Sequence, residues 1–186
     1  MKLKKCNAVM GLLTIVLLLA HGGFEMVAFI RFLYNPVATK VFGLLILCAL
    51  ICHMITGMSI MMFSRDGTET GKYSRLNRGT IVQRASAIGI LVFLLGHLNA
   101  FDLMNSHVGG AFSLIAAIIL QALFFGCVFL HVGTSFSKAL ITLGILESLE
   151  TKKRIDRVVW ILLAIAYIAI MVVISKTFMM LWSMPH

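Results

Sequence analysis

Four histidines, His21, His53, His97 and His131, each lie inside a different long apolar stretch of the chain. An imidazole in hydrocarbon is costly and is retained where it does chemistry: it titrates near neutrality, bonds across helices, or gives a lone pair to a metal. One imidazole on each of four separate stretches is the pattern of paired axial ligands, two for each of two buried metal centres. The plainer alternative is hydrogen bonding between helices in a transporter or scaffold. The four cysteines offer less: Cys48, Cys52 and Cys127 lie in apolar stretches and Cys6 just before one, as small packing residues. Cys48 and Cys52 share a face at i, i+4, but a two-thiol metal site there lacks further ligands.

The elements that must position these histidines follow from composition. Of 186 residues, 60% are hydrophobic and 12% charged, with a mean hydropathy of +1.01. A soluble domain of this length could not hide so much apolar surface, so the bilayer must be its solvent. Five stretches, residues 7–33, 39–63, 82–101, 110–136 and 158–181, are long enough to span a hydrocarbon core. The expected fold is an all-α integral membrane protein, a five-transmembrane-helix bundle forming one domain over residues 1–186. The opening Met1-Lys2-Leu3-Lys4-Lys5 and the run to Ala20 resemble a secretory signal peptide. The apolar character continues through Phe24, residues 26–30 and Leu33, however, which suits a span.

The net charge of +9 is no nucleic-acid signal, because the charges are sorted by loop. Lys2, Lys4 and Lys5, the loop 64–81 and the loop 137–157 hold nearly all the Lys and Arg. The joint between the first two spans has only Arg31 and Lys40, and that between the third and fourth has none. The positive-inside rule then puts the N-terminus in the cytoplasm and the C-terminus outside.

This topology gives each histidine a depth, at about 1.5 Å per helical residue. His21 and His97 fall about 20 Å along outward-running spans, in the outer half. His53 falls about 20 Å and His131 about 30 Å along inward-running spans, in the inner half. The four thus split into two stacked pairs, each from two helices. Zinc or di-iron sites need three or four ligands converging at one place, which this spacing does not offer. Two imidazoles do suffice for a haem iron, where they fill both axial positions and leave single-electron transfer as the chemistry.

Other residues fit such a cofactor. Gly22, Gly23, Gly57, Gly96, Gly126 and Gly133 lie close to the histidines and allow near approach of helices or of a porphyrin edge. Arg84 and Arg31 are candidates to pair with haem propionates, with Arg78 and Lys40 behind them. Glu25 lies one turn from His21 on the same face, and is the candidate proton acceptor for a quinone. Asp102 is a weaker one. His107 and His186 read as solvated.

The segments His53-Met54-Ile55-Thr56-Gly57, Gly71-Lys72-Tyr73, Val82-Gln83-Arg84-Ala85-Ser86, Gly96-His97 and Phe129-Leu130-His131 occur in an order and spacing with a resemblance. Over essentially its whole length the chain resembles the five-helix, dihaem cytochrome b membrane anchor of succinate dehydrogenases and quinol:fumarate reductases. The resemblance implies two haem b groups, His21 with His97 on the outer one and His53 with His131 on the inner one. It also implies a quinone (menaquinone in two-haem members), an FAD flavoprotein subunit and an iron–sulfur subunit on the cytoplasmic face, and a bacterial cytoplasmic membrane. The basic residues Lys72, Arg75, Arg78, Lys152, Lys153 and Arg154 would face that iron–sulfur subunit. Some members carry an acidic residue two positions before the fourth histidine for proton transfer; here Phe129 stands there. Two other classes remain open at this point: a dihaem anchor of a hydrogenase or formate dehydrogenase, and a haem-free transporter or scaffold.

Overall fold

Lipid offers no hydrogen bonds to main-chain groups, so an apolar chain must satisfy them within itself, and helices do this locally. The computed structural model describes residues 2–31, 35–63, 77–105 and 111–183. Its elements are α1 (Lys2–Arg31), α2 (Pro36–Phe63), α3 (Arg78–Leu98), α4 (Ala100–Asn105), α5 (Ala111–Leu143) and α6 (Leu149–Trp182). All but the short α4 are long and apolar enough to cross a membrane, five helices in all among the described residues. No strand occurs among them.

The helices overrun the spans read from hydropathy. α6 begins at Leu149, nine residues before 158, and its first turns carry Lys152, Lys153, Arg154, Asp156 and Arg157. α5 continues to Leu143, beyond 136. Hydropathy marks where an apolar solvent suits the side chains, whereas main-chain hydrogen bonding continues until a capping residue stops it. The third stretch, expected as one helix over 82–101, divides at Asn99 between α3 and α4. There the Asn99 side-chain amide donates to the Leu95 carbonyl at 2.7 Å, alongside the main-chain N–H of the same residue at 3.1 Å. Such local side-chain bonding competes with the helical ladder.

Local sequence sets the other ends. Asn35 caps α2: its Oδ1 accepts from the main-chain N–H groups of Val37 and Ala38, both at 3.1 Å. Pro36 occupies the first helical position, where its missing N–H costs nothing. α5 stops at Gly144, whose φ of +78° lies in the left-handed region. The N–H of Gly144 reaches Ile141 and that of Ile145 reaches Leu140, each at 3.0 Å, the paired bonds of a Schellman ending. Ser148 opens α6, its main-chain carbonyl accepting from the N–H of Lys152 at 3.0 Å.

Burial is inverted relative to a soluble protein. Thr14, Ser86, Ser113, Gln121, Ser137 and Thr177 are buried, while Leu19, Leu95 and Phe112 are about 70% exposed or more (71, 69 and 74%). Small and polar side chains line helix contacts and large apolar ones face outward, as expected where lipid is the solvent.

The chain divides into two compact units. One comprises residues 1–77 with 135–158, the other 78–134 with 159–186. His21 and His53 belong to the first, His97 and His131 to the second. In the second unit Ala100, Ala117, Ile174 and Phe178 form a tightly packed apolar core.

Candidate functional site

In the first unit α1 and α2 run antiparallel. Asn7 lies opposite His53 and Thr56 at one end, and Glu25 lies opposite Thr39 at the other, with Phe24 against Phe42. The imidazole of His53 donates from Nδ1 to the main-chain carbonyl of Asn7 at 3.1 Å. A carbonyl can only accept, so this bond puts the ring proton on Nδ1 and the lone pair on Nε2. The Asn7 side chain is held as well: its Oδ1 is 2.9 Å from the Thr56 hydroxyl.

At the opposite end of the same hairpin His21 meets a different partner. Its Nδ1 is 3.9 Å from Oε1 of Glu25, one turn further along α1, and the two side chains are only 21% and 14% exposed. The Thr39 hydroxyl donates to that same Oε1 at 2.6 Å, tying the carboxyl group to α2. Nδ1 of His21 is the only buried side-chain nitrogen or oxygen among the described residues without a hydrogen-bond partner.

The second unit repeats this arrangement with α3 and α5, again antiparallel: Gln83 pairs with His131, Gly89 with Cys127, and Gly96 with Leu120. His131 donates from Nδ1 to the main-chain carbonyl of Gln83 at 3.0 Å, which again leaves the lone pair on Nε2. His97 meets the side chain of Gln121, with Nδ1 2.8 Å from Oε1. The Gln121 amide nitrogen donates to the His97 carbonyl at 3.3 Å, which fixes the amide orientation and makes Nδ1 the donor. The ring of His97 stacks on Phe124 (4.3 Å between centroids, 12° between planes) and meets the edge of Phe125.

Each hairpin therefore carries one imidazole toward each end, one from each helix. Along α1, residues 7 to 21 span 14 rises of about 1.5 Å, or about 21 Å between the levels of His53 and His21. Along α5, residues 121 to 131 span about 15 Å between the levels of His97 and His131. Among the described residues no group of three or more His, Cys, Asp or Glu could hold a metal ion.

The remaining candidates sit as follows. Arg84 is partly buried on α3, next to Gln83 and so at the level of His131. Arg31 is exposed at the last residue of α1, ten residues or about 15 Å beyond His21. Asp102 is exposed on α4. Lys152 is engaged within the protein: it pairs with Asp156, which also accepts from Ser137. Lys153, Arg154 and Arg78 are exposed. His107, His186, Lys72, Arg75 and the Gly71-Lys72-Tyr73 motif lie outside the described residues.

Gln121, Asn7 and Thr39 were not singled out by sequence, although all three hold histidines or their partners. Gln121 had a usable signal, since an amide in the middle of an apolar span needs a polar partner. Asn7 acts on His53 through its main chain, which no side-chain pattern reports.

Compared with protein-family models, with curated proteins and with solved structures, the chain matches none.

Proposed function

We propose that the four imidazoles bind two haem b groups as axial ligands, His21 with His97 and His53 with His131. The observation that carries this reading is the hydrogen bonding of Nδ1. His53 and His131 donate to main-chain carbonyls and His97 to an amide oxygen. A second partner on the far ring nitrogen sets the tautomer and orients Nε2, as is usual for histidines that ligate metals. The donors are neutral imidazole nitrogens, which suit haem, since a haem iron takes two such ligands where a zinc site takes three or four. A haem held by two of these imidazoles would supply single-electron transfer.

The rest of the proposal follows from charge and resemblance. The chain is the membrane-anchor cytochrome b subunit of a succinate:quinone oxidoreductase, a succinate dehydrogenase or quinol:fumarate reductase in a bacterial cytoplasmic membrane. Its N-terminus is cytoplasmic and its C-terminus outside, as the sorting of Lys and Arg supports. The exposed Lys153, Arg154 and Arg78 face an iron–sulfur subunit with its FAD flavoprotein partner. Menaquinone is the membrane substrate, and Glu25, partly buried beside His21, accepts or supplies the proton of its reduction. Arg84, at the level of His131, pairs with a propionate; Arg31 does so on the other side if the group extends that far along α1.

Reduced-minus-oxidised spectra of membranes expressing this chain test the reading directly. Wild type is expected to show a b-type α-band, and His53→Ala or His97→Ala is expected to remove about half of it. Absence of any haem band would sink the haem assignment. Co-purification with a dicarboxylate-oxidising flavoprotein, rather than with a hydrogenase or formate dehydrogenase, tests the partner.

A further inference from the structure

The four imidazoles are not equivalent. His53, His97 and His131 each present Nδ1 to a neutral oxygen, two carbonyls and one amide. Among the contacts of the described residues, it is His21 that faces a carboxyl group, and its Nδ1 is buried without a hydrogen-bond partner. The Thr39 hydroxyl donates to Oε1 and so ties that carboxyl group across the α1–α2 seam.

Resting on the proposed haem ligation, we infer that Glu25 is a positioning and tuning residue for His21, and that it lowers the reduction potential of one of the two centres. When Nε2 of a neutral imidazole faces a metal, the ring proton is on Nδ1, and here Nδ1 faces Glu25. The carboxyl group lies one turn away on the same helix, so a turn of the two side chains would bring the pair from 3.9 Å to hydrogen-bond distance. A charged acceptor draws that proton more strongly than a carbonyl does, so the ring gains imidazolate character and becomes a stronger donor. A stronger axial donor stabilises the oxidised metal and lowers its potential. The neutral acceptors on the other three rings do this to a lesser degree. The asymmetry between the two centres is thus written into one side chain of α1.

The test is a redox titration of the α-band in membranes holding the full chain, without added quinone. Glu25→Gln keeps the size of the side chain and an oxygen for Thr39, but removes the charge. It is expected to raise one of the two potentials by at least a tenfold change in the oxidised-to-reduced ratio, 59 mV for one electron, and to leave the other in place. Both haems present with both potentials unmoved would overturn the inference while leaving the haem assignment standing. No haem in wild type would remove the premise and the inference together. Should the Glu25→Gln protein fail to accumulate, Gln121→Glu is the converse variant: it puts a carboxyl group against Nδ1 of His97 in the place of the amide. One potential is then expected to fall by a similar factor, and an unchanged curve would refute the tuning of these centres by a carboxylate.

Discussion

The ring of His53 rests against the backbone of Gly11. A Cβ placed on that glycine would come within 3.0 Å of Cε1 and 3.3 Å of Nδ1. Gly11 therefore allows α1 to lie close enough for Nδ1 to reach the Asn7 carbonyl one turn back, at 3.1 Å. A single methyl group must push the ring off that bond by a few tenths of an ångström.

Gly11→Ala is therefore expected to weaken the haem centre proposed at His53. The change improves helix propensity by about 1 kcal/mol, so the protein should still fold. The ring, however, loses its acceptor geometry, and loss of such an outer partner lowers metal affinity by about 10- to 100-fold. Haem content per protein, measured by pyridine haemochrome, should fall toward one equivalent from two. Retention of both haems at wild-type affinity would show that the contact does not constrain the ring.

The seam between α3 and α5 depends on a second glycine. A Cβ at Gly89 would collide with Sγ of Cys127, and would also lie 3.3 Å from the Cys127 Cβ. Gly89→Ala is expected to destabilise the protein, with overpacking of about 1–3 kcal/mol set against the propensity gain. Cys127→Ala removes the sulfur and should restore much of the loss. A double-mutant cycle on unfolding in denaturing detergent should give a coupling of about 0.5–3 kcal/mol. Additive effects would mean that the helices do not meet there.

Much of this architecture was legible in sequence because the bilayer constrains so few solutions. Five apolar stretches became five long helices, and the four histidines emerged on four of them, with His97 and His131 well separated along α3 and α5. Ends were less legible, because capping depends on particular residues such as Asn35, Gly144 and Ser148 rather than on hydropathy. The break at Asn99 was missed for the same reason: its cause is one amide bonding back to Leu95. Within the site, His21 and Glu25 share a helix and could be paired by spacing. Thr39, which holds Glu25, and the Asn7 carbonyl, which holds His53, sit on the neighbouring helix of the hairpin, and no spacing within one segment reports them.

Gln121 gives a further prediction. It is buried, and it bonds both the ring and the main chain of His97. Gln121→Leu would leave a ring N–H buried without its acceptor, at a cost of about 1–3 kcal/mol. Phe124 still stacks on the ring, so the imidazole should stay nearby but lose its fixed tautomer. Low-temperature electron paramagnetic resonance of the oxidised protein should show one low-spin signal broadened or shifted and the other unchanged. An unaltered spectrum would mean that Phe124 alone orients His97.

The proposed pairing can be separated from the proposed ligation by combining replacements. If His21 and His97 serve one centre, the double variant His21→Ala/His97→Ala should retain the same half of the α-band as either single variant. If His53 and His131 serve the other, His53→Ala/His131→Ala should likewise retain one half, of opposite identity in a redox titration. By contrast, His21→Ala/His53→Ala, which empties both ends of the α1–α2 hairpin, should remove the band entirely. The two hairpins place imidazoles about 15–21 Å apart along their own axes, farther than two axial ligands of one iron can be. That distance excludes two histidines of one hairpin as ligands of one iron, so under the proposed ligation the variants above test which histidine pairs with which. A complete loss in His21→Ala/His97→Ala would refute the assignment and put these two histidines on different centres.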